Sequence, residues 1–517
     1  MTRYLYFTVF ISGMTTLAIE LSASRLIGSV FGKSNLVWAS IIGLILIYLA
    51  MGYFLGGRWA DRSPQPRTMY LILAWGAFTA GLAPLIARPV LRLAAEAFDQ
   101  LELGVLFGSF SAVLVLFIIP VTLLGTISPF AIRIAMTNPQ QAGRVSGEIY
   151  AISTLGSFIG TFLPVLVFIP LVGTLRTFLI FSETLIVVAL IGLWKAANGR
   201  QVLLWLWMPF LLALLGFFAG RGAIKETSGQ IYEGESAYNY IQVLQRGEYR
   251  YLRLNEGQGI HSIWHPTELG FSGPWKQFLV APFFNPAEVA PERVRNMAII
   301  GLAAGTTARQ ATAVFAGIEI DGYEIDPAII EVGRQYFEMN LPNLNAIAQD
   351  GRVGLEFSRK RYSIIGIDAY RPPYIPWHLT TREFFQIVRD HLEEDGASVI
   401  NVGRSPSDRR LIDGLAATMQ TVFPSIYVMD VPNTFNSIIY ATVQPTRIEN
   451  LYENLLYLYT RQDIHPILIQ AVEAMAANQK PLQPAGLVFT DDLAPIEWIT
   501  NRMVLNFLIS GEVEELE

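Results

Sequence analysis

Three acidic residues, Glu324, Asp350 and Asp368, each follow a short apolar run that reads as a β-strand, and all three come after a turn of small residues, Gly301-Leu-Ala-Ala-Gly305. A carboxylate in such a position can accept hydrogen bonds from ribose hydroxyls or take a proton from a nucleophile. In open α/β sheets, ligands bind in the crevice at the carboxyl ends of the strands, so three acids at three successive ends converge on one crevice. Strand-end Asp also caps the helix that follows, and one such acid alone would say little. Three in register after a glycine turn point to a bound nucleoside.

The elements that must position them can be read along the chain. Met297-Ala-Ile-Ile-Gly301 is a buried-strand run, and Thr306–Phe315 continues from the turn as a helix. Small residues let the backbone approach a ligand, and a helix N-terminus favours polar or anionic groups. The next strand, Gly317–Tyr323, ends at Glu324, close to the ~20 residues after the turn at which a ribose-binding acid is expected. Asp350-Gly351 follows a third strand, Ala346–Ala348, and Asp368 ends a fourth, Tyr362–Ile367. No Lys-Ser/Thr pair follows the turn, which argues against a phosphate-cradling NTPase loop. Recognition of a nucleoside without strong phosphate contacts suits S-adenosylmethionine, or its decarboxylated relative, better than NAD. Beyond Asp368, Tyr370 and Arg371 lie on one loop, and Pro372–Thr381, with Trp377, His378 and Thr380, could close over the site.

The remaining sequence sets the surroundings. Of the 517 residues 52% are hydrophobic and 15% charged, against roughly 25% charged in ordinary soluble domains; mean hydropathy is +0.39. Seven apolar stretches, Tyr6–Leu26, Val37–Leu55, Met69–Ala87, Val105–Ile127, Ile149–Leu171, Phe178–Trp194 and Leu203–Ala219, read as spans of ~30 Å of hydrocarbon. The first has no small-residue cleavage pattern and reads as a retained helix, and Val90–Leu101, with Arg92, Glu96 and Asp99, reads as a separate interfacial helix. Gly156, Gly160, Pro164 and Pro170 predict close helix packing and a kink in the fifth span. From Tyr238 the pattern alternates with period two across Gly247 to Leu254, which reads as a hairpin. The expected fold is therefore a multi-pass α-helical membrane domain (1–221), a small β module (228–285), an α/β Rossmann-like, methyltransferase-type doubly wound domain (290–445) and a C-terminal helical extension (446–517). A net charge of -6 and the lack of a basic tract argue against nucleic acid, and zero cysteines exclude disulfides, thiolate metal sites and a Cys nucleophile. No metal site is expected. The basic loop Gly57–Arg67 reads as cytoplasmic, which with a cytoplasmic N-terminus and seven spans would leave the C-terminal half outside; the other loops are nearly balanced in charge, and the need for a cytosolic metabolite puts the soluble half in the cytoplasm against that count.

These residues resemble the spermidine synthase (polyamine aminopropyltransferase) family, particularly its membrane-fused bacterial members, over most of Glu235–Gln444. Ser236-Ala-Tyr238-Asn239 is similar to the family's Ser-x-Tyr-Gln strand, Tyr323-Glu324-Ile-Asp326 to its Glu-Ile-Asp ribose segment, and Asp350-Gly351 to its adenine-side Asp-Gly. Asp368 falls on the catalytic Asp that opens Asp-Ser-Ser-Asp-Pro. Gly56-Gly-Arg-Trp-Ala-Asp61-Arg62 and Thr490-Asp-Asp-Leu-Ala-Pro-Ile-Glu497 resemble the fused subgroup. The resemblance implies a membrane-bound transferase that moves an aminopropyl group from decarboxylated S-adenosylmethionine to an amine. Asp368 would be the general base, with Tyr370 orienting the acceptor. Asn239, Gly301, Gly305, Glu324, Asp350 and Gly351 would hold the donor, Arg371 and His378 would stand on the acceptor side, and a homodimer would be usual. Three departures touch the amine. The family's turn Asp is Ala304, the second Asp of its catalytic loop is Arg371, and Asn239 replaces Gln. A guanidinium suits the carboxylate of intact S-adenosylmethionine, which keeps a methyltransferase or other alkyltransferase open, as it does a degenerate nucleoside sensor.

Overall fold

The computed structural model describes residues 2–31, 35–100, 104–196, 202–219, 227–255, 259–370, 374–406, 408–482 and 486–510. The chain forms two compact units, Met1–Glu226 with Glu235–Tyr240, and Thr227–Gly234 with Ile241–Glu517.

Among the described residues of the first unit, six helices are long and apolar enough to cross a membrane: Arg3–Gly28, Val37–Arg62, Pro66–Ala87, Phe110–Ala135, Pro139–Val172 and Thr174–Ala196. The seventh apolar stretch departs from expectation. Its helix, Trp207–Ala219, has 13 residues and rises only about 20 Å. Pro209 pre-sets a first helical turn, and residues before it form i→i+3 turns, Trp205 N–H to Val202 C=O at 2.9 Å and Met208 N–H to Trp205 C=O at 3.1 Å. Residues 90–100 of the stretch Val90–Leu101 are not a separate helix either, because one helix runs unbroken from Pro66 to Gln100; Leu101 lies outside the described residues. Leu, Ala, Arg and Glu are good helix formers, so the charges that suggested a boundary do not interrupt the backbone. The close packing in the fifth span is present. A Cβ at Gly156 would stand 2.0 Å from the Phe10 carbonyl oxygen, and one at Gly160 2.0 Å from that of Met14. At Pro164, which lacks an N–H, the ladder widens to a π-turn over Pro164–Phe168.

The second unit opens with a four-stranded sheet, β1 (Gln230–Glu235), β2 (Tyr240–Arg246), β3 (Tyr249–Leu254) and β4 (Ile260–Trp264), in sequential order. The expected hairpin is β2–β3, with Arg246 opposite Tyr249 and Gly247 in the left-handed region at φ +61°.

An eight-stranded sheet follows: β5 (Asn296–Ile300), β6 (Glu319–Glu324), β7 (Leu344–Ala348), β8 (Tyr362–Ile367), β9 (Leu392–Gly403), β10 (Ser425–Asp430), β11 (Asn436–Thr442) and β12 (Gln479–Lys480). Its order is β12-β10-β11-β9-β8-β5-β6-β7. Strands β5 to β9 pair in parallel, and β11 runs antiparallel to both β9 and β10. This is the Rossmann-like, methyltransferase-type arrangement, with the order reversing on either side of β5. The run Trp275–Phe284, placed with the β module on sequence, is a 3-10 helix buried except at Lys276, and its Phe278, Leu279, Val280, Phe283 and Phe284 join the α/β core. Leu451, Leu458, Leu468 and Val472 of the C-terminal helices join the same core. An apolar run such as Phe-Leu-Val-Ala-Pro-Phe-Phe stabilises only where it is removed from water on all sides.

Candidate active site at the carboxyl edge of the sheet

The turn after β5 is built by glycine at two positions. Gly301 and Gly305 sit at φ +87° and +84°, a region side chains avoid. A Cβ on Gly301 would come within 2.4 Å of the Asp368 carbonyl oxygen, so β5 and the end of β8 can meet only without one. Both Gly301 and Leu302 donate their N–H groups to the Tyr323 carbonyl, at 2.9 and 3.0 Å. The turn is thereby fastened to β6 on one side and set against β8 on the other. The small sheet reaches it as well. Ser262 Oγ of β4 accepts the Ala304 N–H at 2.9 Å, and Thr306 Oγ1 exchanges hydrogen bonds with the Ile263 backbone at 2.9 and 3.0 Å.

Glu324 ends β6 and is buried. Its Oε2 accepts the Ala303 N–H at 3.0 Å and its Oε1 the Asp326 N–H at 3.1 Å. Burial pushes its carboxyl up to about 7, against the pull of those two donors and with the repulsion of Asp326 added. A carboxylate keeps lone pairs after two such bonds, so Glu324 can accept further hydrogen bonds from a ligand.

Asp368 follows β8. Its N–H extends the ladder to the Ile300 carbonyl at 2.8 Å, and its Oδ1 accepts from Asn401 Nδ2 at 2.9 Å. Burial raises this carboxyl to about 6, while the Asn401 bond pulls it down. Tyr370 lies two residues on, its hydroxyl donating to the Asn401 carbonyl at 3.1 Å. Burial first, then the nearby Asp368, hold that phenol well above its usual range. The structure thus gathers Asp368, Tyr370 and Asn401 at adjacent strand ends. Asn401 was missed on sequence. The available signal was one amide inside the apolar run Val399-Ile-Asn-Val402, since a buried polar group needs a partner.

Asp350 does two things at once. Its Oδ1 caps helix Gly351–Glu356 by accepting the N–H groups of Arg352 and Val353 at 3.0 and 3.1 Å, so the capping role open on sequence is present. Its Oδ2 lies 2.9 Å from His378 Nε2. The His378 bond, aided by the cap and opposed by burial, holds the Asp350 carboxyl below its usual value. His378 is thereby brought to the acid nearest it, on the 3-10 turn Trp377–Leu379. Gly351 is close-packed, because a Cβ there would lie 2.3 Å from Ile300 Cγ2.

Along the sheet edge the order is therefore Asp350, Glu324, the glycine turn, Asp368 and Asn401, following strands β7, β6, β5, β8 and β9. Asn239 belongs to the segment Glu235–Tyr240 of the first unit, where its N–H donates to Ser236 Oγ at 2.8 Å. Arg371 lies outside the described residues. Ala304 is buried, and its methyl group offers no charge to an ammonium. Among the described residues, no group of three or more His, Asp or Glu side chains could hold a metal ion.

Residues 285–453 match the family described as the Spermine/spermidine synthase domain. A probable polyamine aminopropyl transferase of Bifidobacterium longum is 29% identical over 280 residues, 52% of this chain and 61% of the relative. The polyamine aminopropyltransferase of Vibrio vulnificus is 28% identical over 212 residues, 39% and 68% of the two chains. Among solved structures, a spermidine synthase in complex with the transition state analogue AdoDATO is 19% identical, with a TM-score of 0.39 over 49% of this chain and 84% of that one. The strand order and parallel pairing define a Rossmann-like, methyltransferase-type fold, in a chain that also has long apolar helices. Within its C-terminal half, residues 285–453 are the ones similar to the spermine/spermidine synthase domain. The chain spans 61% of the length of the Bifidobacterium relative.

Proposed function

We propose that the protein is a membrane-bound aminopropyltransferase of the spermidine synthase type, using decarboxylated S-adenosylmethionine as donor and a small amine as acceptor. The observation that carries this reading is the adjacency of Glu324, the 301–305 turn and Asp368 at the carboxyl ends of β6, β5 and β8, inside the residues that match the domain. Glu324 accepts the ribose hydroxyls. Gly301 and Gly305 let the backbone close on the nucleoside, and Asp350-Gly351, with Asn239 by family resemblance, completes the donor side. Asp368 takes a proton from the amine. The freed nitrogen lone pair forms a C–N bond to the methylene beside the sulfonium, the C–S bond breaks toward sulfur, and neutral methylthioadenosine leaves. A base that titrates at about 6 is largely ionised at pH 7 and still basic enough to share the proton. Tyr370 borders the acceptor, Arg371 is assigned to it by family resemblance alone, and His378, 2.9 Å from Asp350, stands at the donor end. The six long apolar helices anchor the enzyme in the cell membrane with its catalytic half in the cytoplasm, and a homodimer follows the habit of the family.

Ala304 favours a second reading. A turn carboxylate would repel the carboxylate of intact S-adenosylmethionine and an alanine does not, which suits a methyl or other alkyl transfer from that donor. Full-length protein in detergent, given labelled decarboxylated or intact S-adenosylmethionine with putrescine, separates the two. Methylthioadenosine supports the first, adenosylhomocysteine the second, and binding without turnover would contradict both in favour of a sensor.

A further inference from the structure

The loop beyond Asp368 is gripped by a segment outside the residues that match the domain. Asp491 accepts two hydrogen bonds from the Arg352 guanidinium, Nη1 to Oδ1 at 2.7 Å and Nη2 to Oδ2 at 2.6 Å. The same Oδ1 accepts from Thr381 Oγ1 at 2.7 Å. Arg352 Nη1 also reaches the His378 carbonyl at 3.1 Å. The Asp491 N–H is taken by Glu383 Oε2 at 3.0 Å, and the Phe489 carbonyl accepts the Arg382 N–H at 2.9 Å. At the other end of the loop, the Tyr374 hydroxyl donates to Asn501 Oδ1 on helix Ile496–Ser510. Residues 374–383 are thus tied at both ends to 489–501, and the His378 side chain they carry touches Asp350.

A fork-to-fork Arg–carboxylate pair fixes geometry as well as charge. Here the guanidinium also sits two residues from Asp350, in the first turn of the helix Asp350 caps. We propose that Asp491 is a positioning residue. Through Arg352 and Thr381 it sets the 377–381 turn, and so His378, against Asp350 at the nucleoside end of the site. The C-terminal segment is then a working part of donor binding. This rests on the nucleoside reading given above.

The test uses the full chain in detergent, with methylthioadenosine as the probe. Asp491→Asn should weaken its binding, and raise KM for the donor, about tenfold. The turnover number should stay within about twofold of wild type. Backbone amide exchange at 380–384 should quicken in the unliganded protein. The double variant Arg352→Asp/Asp491→Arg, which rebuilds the pair reversed, should recover part of the affinity. Unchanged affinity and exchange in Asp491→Asn would overturn the proposal, as would a fall in turnover with KM unmoved. If Asp491→Asn does not fold, failure of the reversed pair to restore both folding and affinity counts against it. Wild-type protein that binds no methylthioadenosine would instead overturn the nucleoside reading, and the proposal with it.

Discussion

At Asp368 the chemistry is set by two opposed effects. Burial holds the proton on, raising the carboxyl to about 6, and the Asn401 amide stabilises the ionised form. Because the base and the ribose-binding Glu324 must both be ionised, kcat/KM should climb as pH rises through about 6 and about 7 and level off above them. Asn401→Ala removes the stabilising donor, so this acid limb should move to higher pH in a kcat/KM profile; an unmoved limb would assign it to another group. Asp368→Asn should lower turnover by about 10²–10⁴ while sparing methylthioadenosine affinity, measured by initial rates and calorimetry on the same sample. Glu324, Asp350 and Asp368 were legible because each ends a short apolar run. Asn401 was not, since its meaning depends on β9 lying beside β8, a pairing no local pattern announces.

At the scale of elements the decisive feature is the turn between β5 and its helix. Gly301→Ala combines a left-handed φ, about 1–2 kcal/mol for any side chain, with a Cβ 2.4 Å from the Asp368 backbone. It should lower the thermal midpoint and displace the base, so that activity falls more steeply than stability; a fully active, equally stable variant would mean the turn tolerates a methyl. The β2–β3 hairpin and the strands flanking this turn could be read from period and glycine spacing. The antiparallel insertion of β11 between β9 and β10 could not, because strand order is decided by tertiary packing. The burial of Trp275–Phe284 escaped for a related reason: a short apolar run looks alike in a strand and in a buried helix. Charges at Arg92, Glu96 and Asp99 misled in the opposite direction, marking a boundary where the helix continues.

One chain contains both helices of membrane-crossing length and, at residues 285–453, a region similar to the spermine/spermidine synthase domain. Intact protein should stay in the membrane fraction after alkaline carbonate washing, as six apolar helices require; release into the supernatant would contradict the anchoring. Central to the account is a nucleoside seated on the carboxyl edge of β5, β6 and β8. Calorimetric titration of methylthioadenosine into wild-type protein and Glu324→Gln tests it most directly. The account predicts saturable binding that the substitution weakens by about 1.5–3 kcal/mol, roughly ten- to hundred-fold. Equal affinity in the two proteins, or no saturable binding in either, would contradict it.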